Sequence, residues 1–317
     1  MIAILGAGSL GRLWAARLPA GRVAFIPRPG IRPATAHVCY RWRSLDGSES
    51  SVQVPWLNPG ETPELVLVTT KAGDAVPAVA GIMPQLRQDT PVVLFQNGLG
   101  SQQAVAAQWP HHRILAASTT EGANRPLPDL LVHAGTGETW IGPLTDPAKA
   151  ISAQILAPLN ASGLTLHQEP DILYRLWQKL IINAGINPYT ALLDCTNGDI
   201  LKAPLYRNTI DALCRELVLL MQADGQGEEE PGTLRQRIEA VARRTASNTS
   251  SMRADVLQGR PTEIHFINGY LVQRGKALGI AVPVNQMLTE QVQQLSLHKQ
   301  EQSNGQSPLE DIHPHRG

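Results

Sequence analysis

The chain has 317 residues, enough for two ordinary domains with a sizeable core, and 43% of them are hydrophobic, as in a soluble globular protein. Its 27 basic and 27 acidic residues cancel, which argues against nucleic acid or a membrane surface as the main partner. Cys39, Cys195 and Cys214 are scattered, with no CxxC spacing, and read as free thiols in a reducing compartment. The short histidine clusters His111-His112 and His313-His315 read as loop and tail residues, so no metal is expected. No apolar run reaches transmembrane length. Met1 to Ala20 is apolar but lacks a basic start, carries Arg12, and is broken by Gly6, Gly8 and Gly11, so it is not read as a signal peptide and cytoplasm is expected.

The first half alternates strand and helix. Ile2 to Leu5 reads as a buried strand, Gly6-Ala7-Gly8-Ser9-Leu10-Gly11 follows at once, and Leu10 to Leu18 reads as a helix. This is G-x-G-x-x-G in the setting it needs, where glycines let the backbone approach a pyrophosphate and a helix N-terminus favours its charge. The plainer reading, a tight turn without ligand, does not explain why the pattern begins straight after a strand. Val23 to Ile26 forms the second strand, and NAD-selecting folds place an acid near its end to hold the ribose hydroxyls. Here the chain reads Pro27-Arg28-Pro29, with no acid before Asp46 but with Arg12, Arg17, Arg22, Arg28, Arg32, Arg41 and Arg43. A ribose 2′-phosphate favours arginine, so NADP(H) is expected over NAD(H), with Arg28 as the main contact. Any single arginine there also reads as a solvated loop residue, and the missing acid is the firmer half of the argument.

Val38 to Leu45 and Ser51 to Val54 flank Asp46-Gly47, a hairpin signal. Leu65 to Thr69 runs into Thr70-Lys71-Ala72, and Val92 to Phe95 runs into Gln96-Asn97-Gly98. Ligands of open α/β sheets sit beyond the carboxyl ends of strands, where Lys71 and Asn97 fall, although Asn97-Gly98 reads equally as a plain turn. Ile114 to Ser118, Leu130 to His133, Thr139 to Ile141 and Leu164 to His167 are further strands. Ala75 to Leu86, Gln102 to Gln108 and Ala148 to Asn160 look helical.

From Asp171 the composition turns helical: Asp171 to Leu193 (which Pro188 should kink or divide), Leu205 to Ala223, Thr233 to Ala246, Thr262 to Leu278 and Asn285 to Leu297. Pro261 and Glu263 suit the first turn of the helix that Thr262 opens, so Glu263 is explained by the helix dipole alone. The expected architecture is an α/β Rossmann-like domain over 1–168, an all-α domain over 169–297, and a disordered tail over 298–317. The natural active site is the cleft between the two domains.

The most telling pattern is Lys179, Asn183 and Asn187, spaced i, i+4, i+8. On a helix each step of four drifts by about 40°, so all three share one face, flanked by Leu176, Ile182 and Ile186. One cation and two neutral amides on an apolar ground suit a small oxygen-rich anion that must receive a proton. Taken alone, Lys179 reads as a snorkelling surface lysine.

These segments together resemble the ketopantoate reductase (2-dehydropantoate 2-reductase) family: Gly6 to Gly11, Thr70-Lys71-Ala72, Gln96-Asn97-Gly98-Leu99-Gly100, Leu176 to Asp199, Asn248-Thr249-Ser250-Ser251-Met252, Thr262-Glu263-Ile264 and Ile267-Asn268-Gly269. The similarity reaches to about residue 295. It implies NADPH-dependent reduction of 2-dehydropantoate to (R)-pantoate, a step towards pantothenate and coenzyme A. By residue match, Lys179 would be the proton donor. Asn97, Asn183, Asn187, Asn197, Ser251 and Glu263 would line the substrate site. Gly6, Ala7, Gly8, Ser9, Leu10, Gly11, Arg28, Lys71, Asn97 and Ala123 would contact the cofactor. Three details depart from the pattern: prolines bracket Arg28, Glu121 places an acid near the cofactor, and the Ser250-Ser251 pair leaves the serine to be chosen by spacing from Glu263.

Glu263 would either keep Lys179 protonated or accept a hydrogen bond from a substrate hydroxyl. Two other readings stand beside the first: a paralogue acting on another 2-oxo acid, and a non-catalytic NADPH-binding protein, which the presence of Lys179 disfavours. The partners expected are a small 2-oxo acid and either none or one further copy of the chain.

Overall fold

Ile2–Leu5 (β1) is apolar at every position because its strand is covered on both faces. Alternate residues go to opposite sides. Ile2 and Ile4 join one core with Leu65, Leu67, Val93 and Leu115, while Ala3 and Leu5 join the other with Val66, Val68, Val92 and Ile114. In this computed structural model, residues 1–28, 30, 31 and 33–305 are described. Pro29, Arg32 and the part of the expected tail that carries His313 and His315 lie outside them. The chain divides into two compact units, Met1–Leu180 and Ile181 onward.

In the first unit, β1 is followed by α1 (Ser9–Arg17), β2 (Val23–Phe25), the hairpin β3 (His37–Arg43) and β4 (Glu49–Pro55), β5 (Leu65–Val68), α2 (Ala72–Ile82), β6 (Val92–Leu94), α3 (Ser101–Gln108) and β7 (Ile114–Thr119). Then come β8 (Gly122–Leu127), β9 (Leu130–Gly135), β10 (Glu138–Pro143), α4 (Asp146–Lys149), α5 (Leu156–Asn160) and β11 (Thr165–Gln168). The main sheet has the order β11-β10-β7-β6-β5-β1-β2, and β4-β3-β9-β8 form a second sheet. Strands β2, β1, β5, β6 and β7 run parallel, while β10 is antiparallel to β7. The chain places β2 on one side of β1 and β5 on the other, which is the switch point where such sheets bind ligands.

The second unit is helical: the latter part of α6 (Ile172–Leu193), then α7 (Pro204–Ala223), α8 (Pro231–Arg244), α9 (Ser251–Leu257), α10 (Asn268–Leu278) and α11 (Pro283–Gly305). Among the described residues, no helix is long and apolar enough to cross a membrane.

Several local expectations are corrected. Pro188 does not divide α6, which stays one element of 22 residues. The missing N–H of Pro188 releases the carbonyl of Ala184, and Asn268 Nδ2 donates to that oxygen at 3.4 Å. Asn268 in turn donates to Asn285 Oδ1 at 3.0 Å, and buried Glu216 accepts from Val284 N, Asn285 N and Asn285 Nδ2 at 2.7, 3.0 and 2.8 Å. Ala148 to Asn160 is two short helices with turns between them, because Pro158 has no N–H to give Gln154, whose carbonyl accepts Ala157 N instead.

The helix expected from Thr262 begins only at Asn268. Ile267, with φ −109° and ψ −97°, breaks the path, and Glu263 precedes a single 3-10 turn over Ile264–Phe266 instead of entering a helix. Two elements were not anticipated. Helix α9 starts where Ser250 Oγ accepts from Arg253 N at 3.1 Å, and β8 carries Pro126 because it is an edge strand with register shifts. Helix α11 continues to Gly305, past the 298 start of the expected tail, since neither Gly nor Pro interrupts it earlier.

Candidate active site

Gly6 has φ +113°, and a Cβ there would lie 2.9 Å from Thr70 N. A Cβ on Gly11 would lie 2.1 Å from Gly6 O and 2.5 Å from Thr69 Oγ1. The glycines are therefore fixed by the close crossing of the first loop over the end of β5, a crossing that Thr69 Oγ1 tightens by donating to Gly6 O at 2.7 Å. A Cβ on Gly8 would meet only Thr69 O at 4.0 Å, and Gly8 caps α1 with no side-chain hydrogen bond. The first-turn N–H groups of α1 are thus left without a capping side chain, an arrangement that fits a pyrophosphate. Buried Thr70 Oγ1 and Gln96 Oε1, at the ends of β5 and β6, have no hydrogen-bond partner. The residues present fit a dinucleotide.

Arg28 is exposed just beyond β2, and its carbonyl accepts Ile31 N at 3.0 Å. Lys71 is half-buried and caps α2 through its carbonyl, which accepts Asp74 N at 3.0 Å. Ala123 lies half-buried on β8. Nearby Glu121 is engaged by His133, Oε2 to Nε2 at 2.7 Å, with both side chains only 3% exposed.

Within the first unit the structure brings Lys179 and Asn97 together. Lys179 Nζ donates to Asn97 Oδ1 at 2.8 Å and to the carbonyl of Thr119 at 2.9 Å. Gly98 has φ +78°, so Asn97-Gly98 is a turn and Asn97 holds the lysine as well. The lysine is half-buried, not snorkelling, and both of these oxygens are uncharged.

Two glutamines not anticipated as functional support this arrangement. Gln102 is fully buried, and its Nε2 donates to the carbonyls of Gln96 and Gly98, at 2.9 and 3.1 Å, on either side of Asn97. Gln96 Nε2 does the same one strand over, reaching the carbonyls of Val68 and Thr70 at 3.0 and 3.1 Å. Gln102→Leu leaves two buried carbonyls short of a donor, at about 1–3 kcal/mol for each unsatisfied group. It should lower the melting temperature and reduce kcat more than it raises KM for the nicotinamide nucleotide. Unchanged kcat in a folded Gln102→Leu protein would remove Gln102 from the support of Asn97.

In the second unit, Asn183 is half-buried and Asn187 buried, four and eight residues beyond Lys179 along α6. Thr190 Oγ1 donates to Asn187 O at 2.8 Å and also bonds Ser250 Oγ at 2.7 Å. Asn197 Nδ2 donates to Thr245 Oγ1 at 2.9 Å, while its buried Oδ1 has no partner. Ser250 is buried and caps α9, so the exposed Ser251 is the serine of the pair whose hydroxyl is not committed to that cap. Glu263 is buried. The Thr119 carbonyl could not be found from sequence, because a backbone acceptor carries no residue signal. The glutamines had a weak one, amide side chains within otherwise apolar strand-loop-helix stretches.

Glycine loop, switch point and sheet order define a Rossmann-like dinucleotide-binding fold, of the kind that NAD(P)-dependent oxidoreductases use. The ketopantoate reductase PanE/ApbA family matches residues 2–146, and its C-terminal counterpart, ketopantoate reductase PanE/ApbA C terminal, matches residues 171–296. The chain belongs to the ketopantoate reductase family. It is 34% identical over 304 residues to the 2-dehydropantoate 2-reductase of Vibrio cholerae serotype O1, covering 93% of this chain and 97% of that one. It is 32% identical over 311 residues to that of Yersinia pestis, covering 91% and 93%. Among solved structures, 2-dehydropantoate 2-reductase from Geobacter metallireducens GS-15 aligns with a TM-score of 0.78 at 26% identity, over 92% of this chain and 99% of that one. A D-mandelate dehydrogenase solved with NADH and anilino(oxo)acetate shares the fold, with a TM-score of 0.83 at 23% identity, over 94% and 99%.

Proposed function

We propose that this chain reduces 2-dehydropantoate to (R)-pantoate with NADPH, in the cytoplasm, as a step of pantothenate and coenzyme A synthesis. The observation that carries the reading is the half-buried Lys179 ammonium, aimed by Asn97 Oδ1 and the Thr119 carbonyl. When bound, the reduced nicotinamide supplies a hydride to the keto carbon. The negative charge that develops on the keto oxygen is stabilised by Lys179, which then gives it a proton.

Asn183, Asn187 and Asn197 bind the substrate carboxylate through neutral amides, adding no charge that would favour or disfavour the ammonium. Asn197, with an amide oxygen left over, also has acceptor capacity for a hydroxyl. Ser251 and Glu263 take the hydroxyl that distinguishes 2-dehydropantoate from simpler 2-oxo acids. Gly6 to Gly11 cradle the pyrophosphate, Arg28 meets the 2′-phosphate, and Lys71, Asn97 and Ala123 complete the cofactor site. The chain works as a monomer or homodimer.

The fold shared with a D-mandelate dehydrogenase motivates a second reading, in which the same machinery reduces another 2-oxo acid. The test is a bacterial strain that lacks its own ketopantoate reductase and requires pantothenate. Expression of this chain should restore growth without supplement, and Lys179→Ala should not. Failure of a soluble, well-expressed wild-type protein to restore growth would favour the second reading.

A further inference from the structure

Glu121 stands near the residues assigned to the cofactor and has no part in the reaction as proposed, yet it forms a buried pair. Its Oε2 lies 2.7 Å from His133 Nε2, and both side chains are only 3% exposed. His133 Nδ1 is buried and has no hydrogen-bond partner among the described residues. A proton on that nitrogen would be a buried donor without an acceptor, so the ring proton belongs on Nε2, and Glu121 accepts it. A protonated Glu121 donating to Nε2 would send the ring proton to Nδ1 and meets the same objection.

Stability alone does not account for such a pair. Taking a carboxylate out of water is costly, and two apolar side chains of like volume often serve a buried position as well or better. What distinguishes this place is the path of the chain. β7 ends in the main sheet at Thr119 and β8 begins in the second sheet at Gly122, so Thr120 and Glu121 make the whole connection between them. Thr119 is the residue whose carbonyl accepts from Lys179 Nζ at 2.9 Å. Its hydroxyl oxygen accepts from Glu121 N at 3.2 Å and from Thr139 Oγ1 at 2.8 Å. Thr120 is tied to the main sheet through Glu138: its N donates to Glu138 O at 2.9 Å, and Glu138 N donates to Thr120 Oγ1 at 2.9 Å. A Cβ on Gly137 would lie 2.3 Å from Thr120 C and 2.4 Å from Glu121 N, so the neighbouring turn closes tightly on the connection. Glu121 is tied to the second sheet through His133 on β9. There Ala123 pairs with His133 and Gly122 with Gly135, which leaves Ala134 as an extra residue, a bulge of the kind that re-aims a side chain beside a site.

We infer that Glu121 and His133 are positioning residues for Lys179: their buried bond fixes the connection between β7 and β8, and the connection fixes the Thr119 carbonyl that aims the ammonium. This rests on the reading of Lys179 as the proton donor. Both positions of the connection are held, one to each sheet, and Glu121 reaches Thr119 directly through its own N–H. A shift of about 1 Å in a group that aims a reacting atom costs on the order of a hundredfold in rate, so a small slackening here reaches the chemistry.

The test replaces the pair by apolar side chains of similar volume, Glu121→Met with His133→Leu, so that no buried charge is left alone. The melting temperature should stay near wild type or rise. In the cofactor-free protein, Lys179 should react about two- to tenfold faster with acetic anhydride, read by peptide mass spectrometry against the exposed Lys149, because one of its hydrogen bonds has loosened. With NADPH and 2-dehydropantoate, kcat should fall about ten- to a hundredfold, more than any loss of NADPH affinity. Glu121→Gln, which keeps an oxygen for His133 Nε2, should recover most of both losses. If the double variant folds poorly, Glu121→Met alone, which leaves a neutral ring, carries the same expectations. Wild-type Lys179 reactivity and kcat in a folded variant overturn the proposal. A loss of NADPH affinity as large as the loss of kcat also overturns it, by moving the pair to the cofactor site through Ala123. Glu121→Gln behaving like the double variant does so too, by making charge and not position the cause. The labelling needs no substrate: faster acetylation of Lys179 in the variant, when even the wild type fails to reduce 2-dehydropantoate, upholds the clamp and refutes the assigned substrate.

Discussion

Lys179→Ala should abolish turnover, by at least the roughly 10²–10⁴-fold that a positioned proton donor supplies, while NADPH binding stays near wild type. The lysine is held by Asn97 Oδ1 and the Thr119 carbonyl, so removing it frees two acceptors at the ends of β6 and β7 without opening the hydrophobic core. Both acceptors lie at the half-buried rim of the sheet, where water can replace Nζ. The melting temperature should therefore move little. Pre-steady-state measurement of nucleotide affinity beside kcat separates the two effects. A wild-type kcat in this variant would sink the proton-donor role, and a large loss of NADPH affinity would place the lysine in cofactor binding instead.

Gly11→Ala should be the most damaging single-methyl change in the glycine loop. The new Cβ would stand 2.1 Å from Gly6 O and 2.5 Å from Thr69 Oγ1. Thr69 has a rotamer to give, but the Gly6 carbonyl is backbone, in a loop that passes so close to the end of β5 that a Cβ on Gly6 would lie 2.9 Å from Thr70 N. Overpacking of this kind costs about 1–3 kcal/mol when neighbours shift, and here the shift moves the glycine loop itself. Lower thermal stability together with at least tenfold weaker nucleotide binding is expected. Gly8→Ala, with only Thr69 O near its Cβ at 4.0 Å, should leave the fold intact and disturb nucleotide affinity alone. Equal stability losses in the two variants would contradict the packing account.

Much of the fold was legible because its signals are local. Unbroken apolar tetrads such as Ile2–Leu5 and Leu65–Val68 announced strands covered on both faces, and Asp46-Gly47 announced the β3–β4 hairpin. The errors came where a distant partner overrides a local rule. Pro188 reads as a helix breaker until Asn268 is seen to take the carbonyl it releases, 84 residues away in sequence. Glu263 reads as a helix-start acid until the chain turns at Ile267 and defers α10 to Asn268. β8, with Asn124, Arg125 and Pro126, carries no strand signal because an edge strand tolerates all three.

The site followed the same division. The spacing of Lys179 on α6 was readable, and so was Asn97 at a strand end. That the two would meet was not, because their contact joins positions 82 residues apart. Gln96 and Gln102 hold alternate carbonyls in the loops after β5 and β6, and their own neighbourhoods give only a weak sign of it, an amide within an apolar strand-loop-helix stretch. The choice between Ser250 and Ser251 rested on spacing alone; in the fold Ser250 is occupied as the cap of α9.

The most direct measurement is steady-state oxidation of reduced nicotinamide by the purified protein with 2-dehydropantoate, run with NADPH and with NADH, beside 2-oxoisovalerate, which lacks the hydroxyl. Rapid turnover with 2-dehydropantoate and NADPH, and slow turnover when either is exchanged, is the predicted result. Equal rates with NADH would contradict the assignment of Arg28 to a 2′-phosphate, and absence of turnover with 2-dehydropantoate despite tight NADPH binding would contradict the assigned substrate.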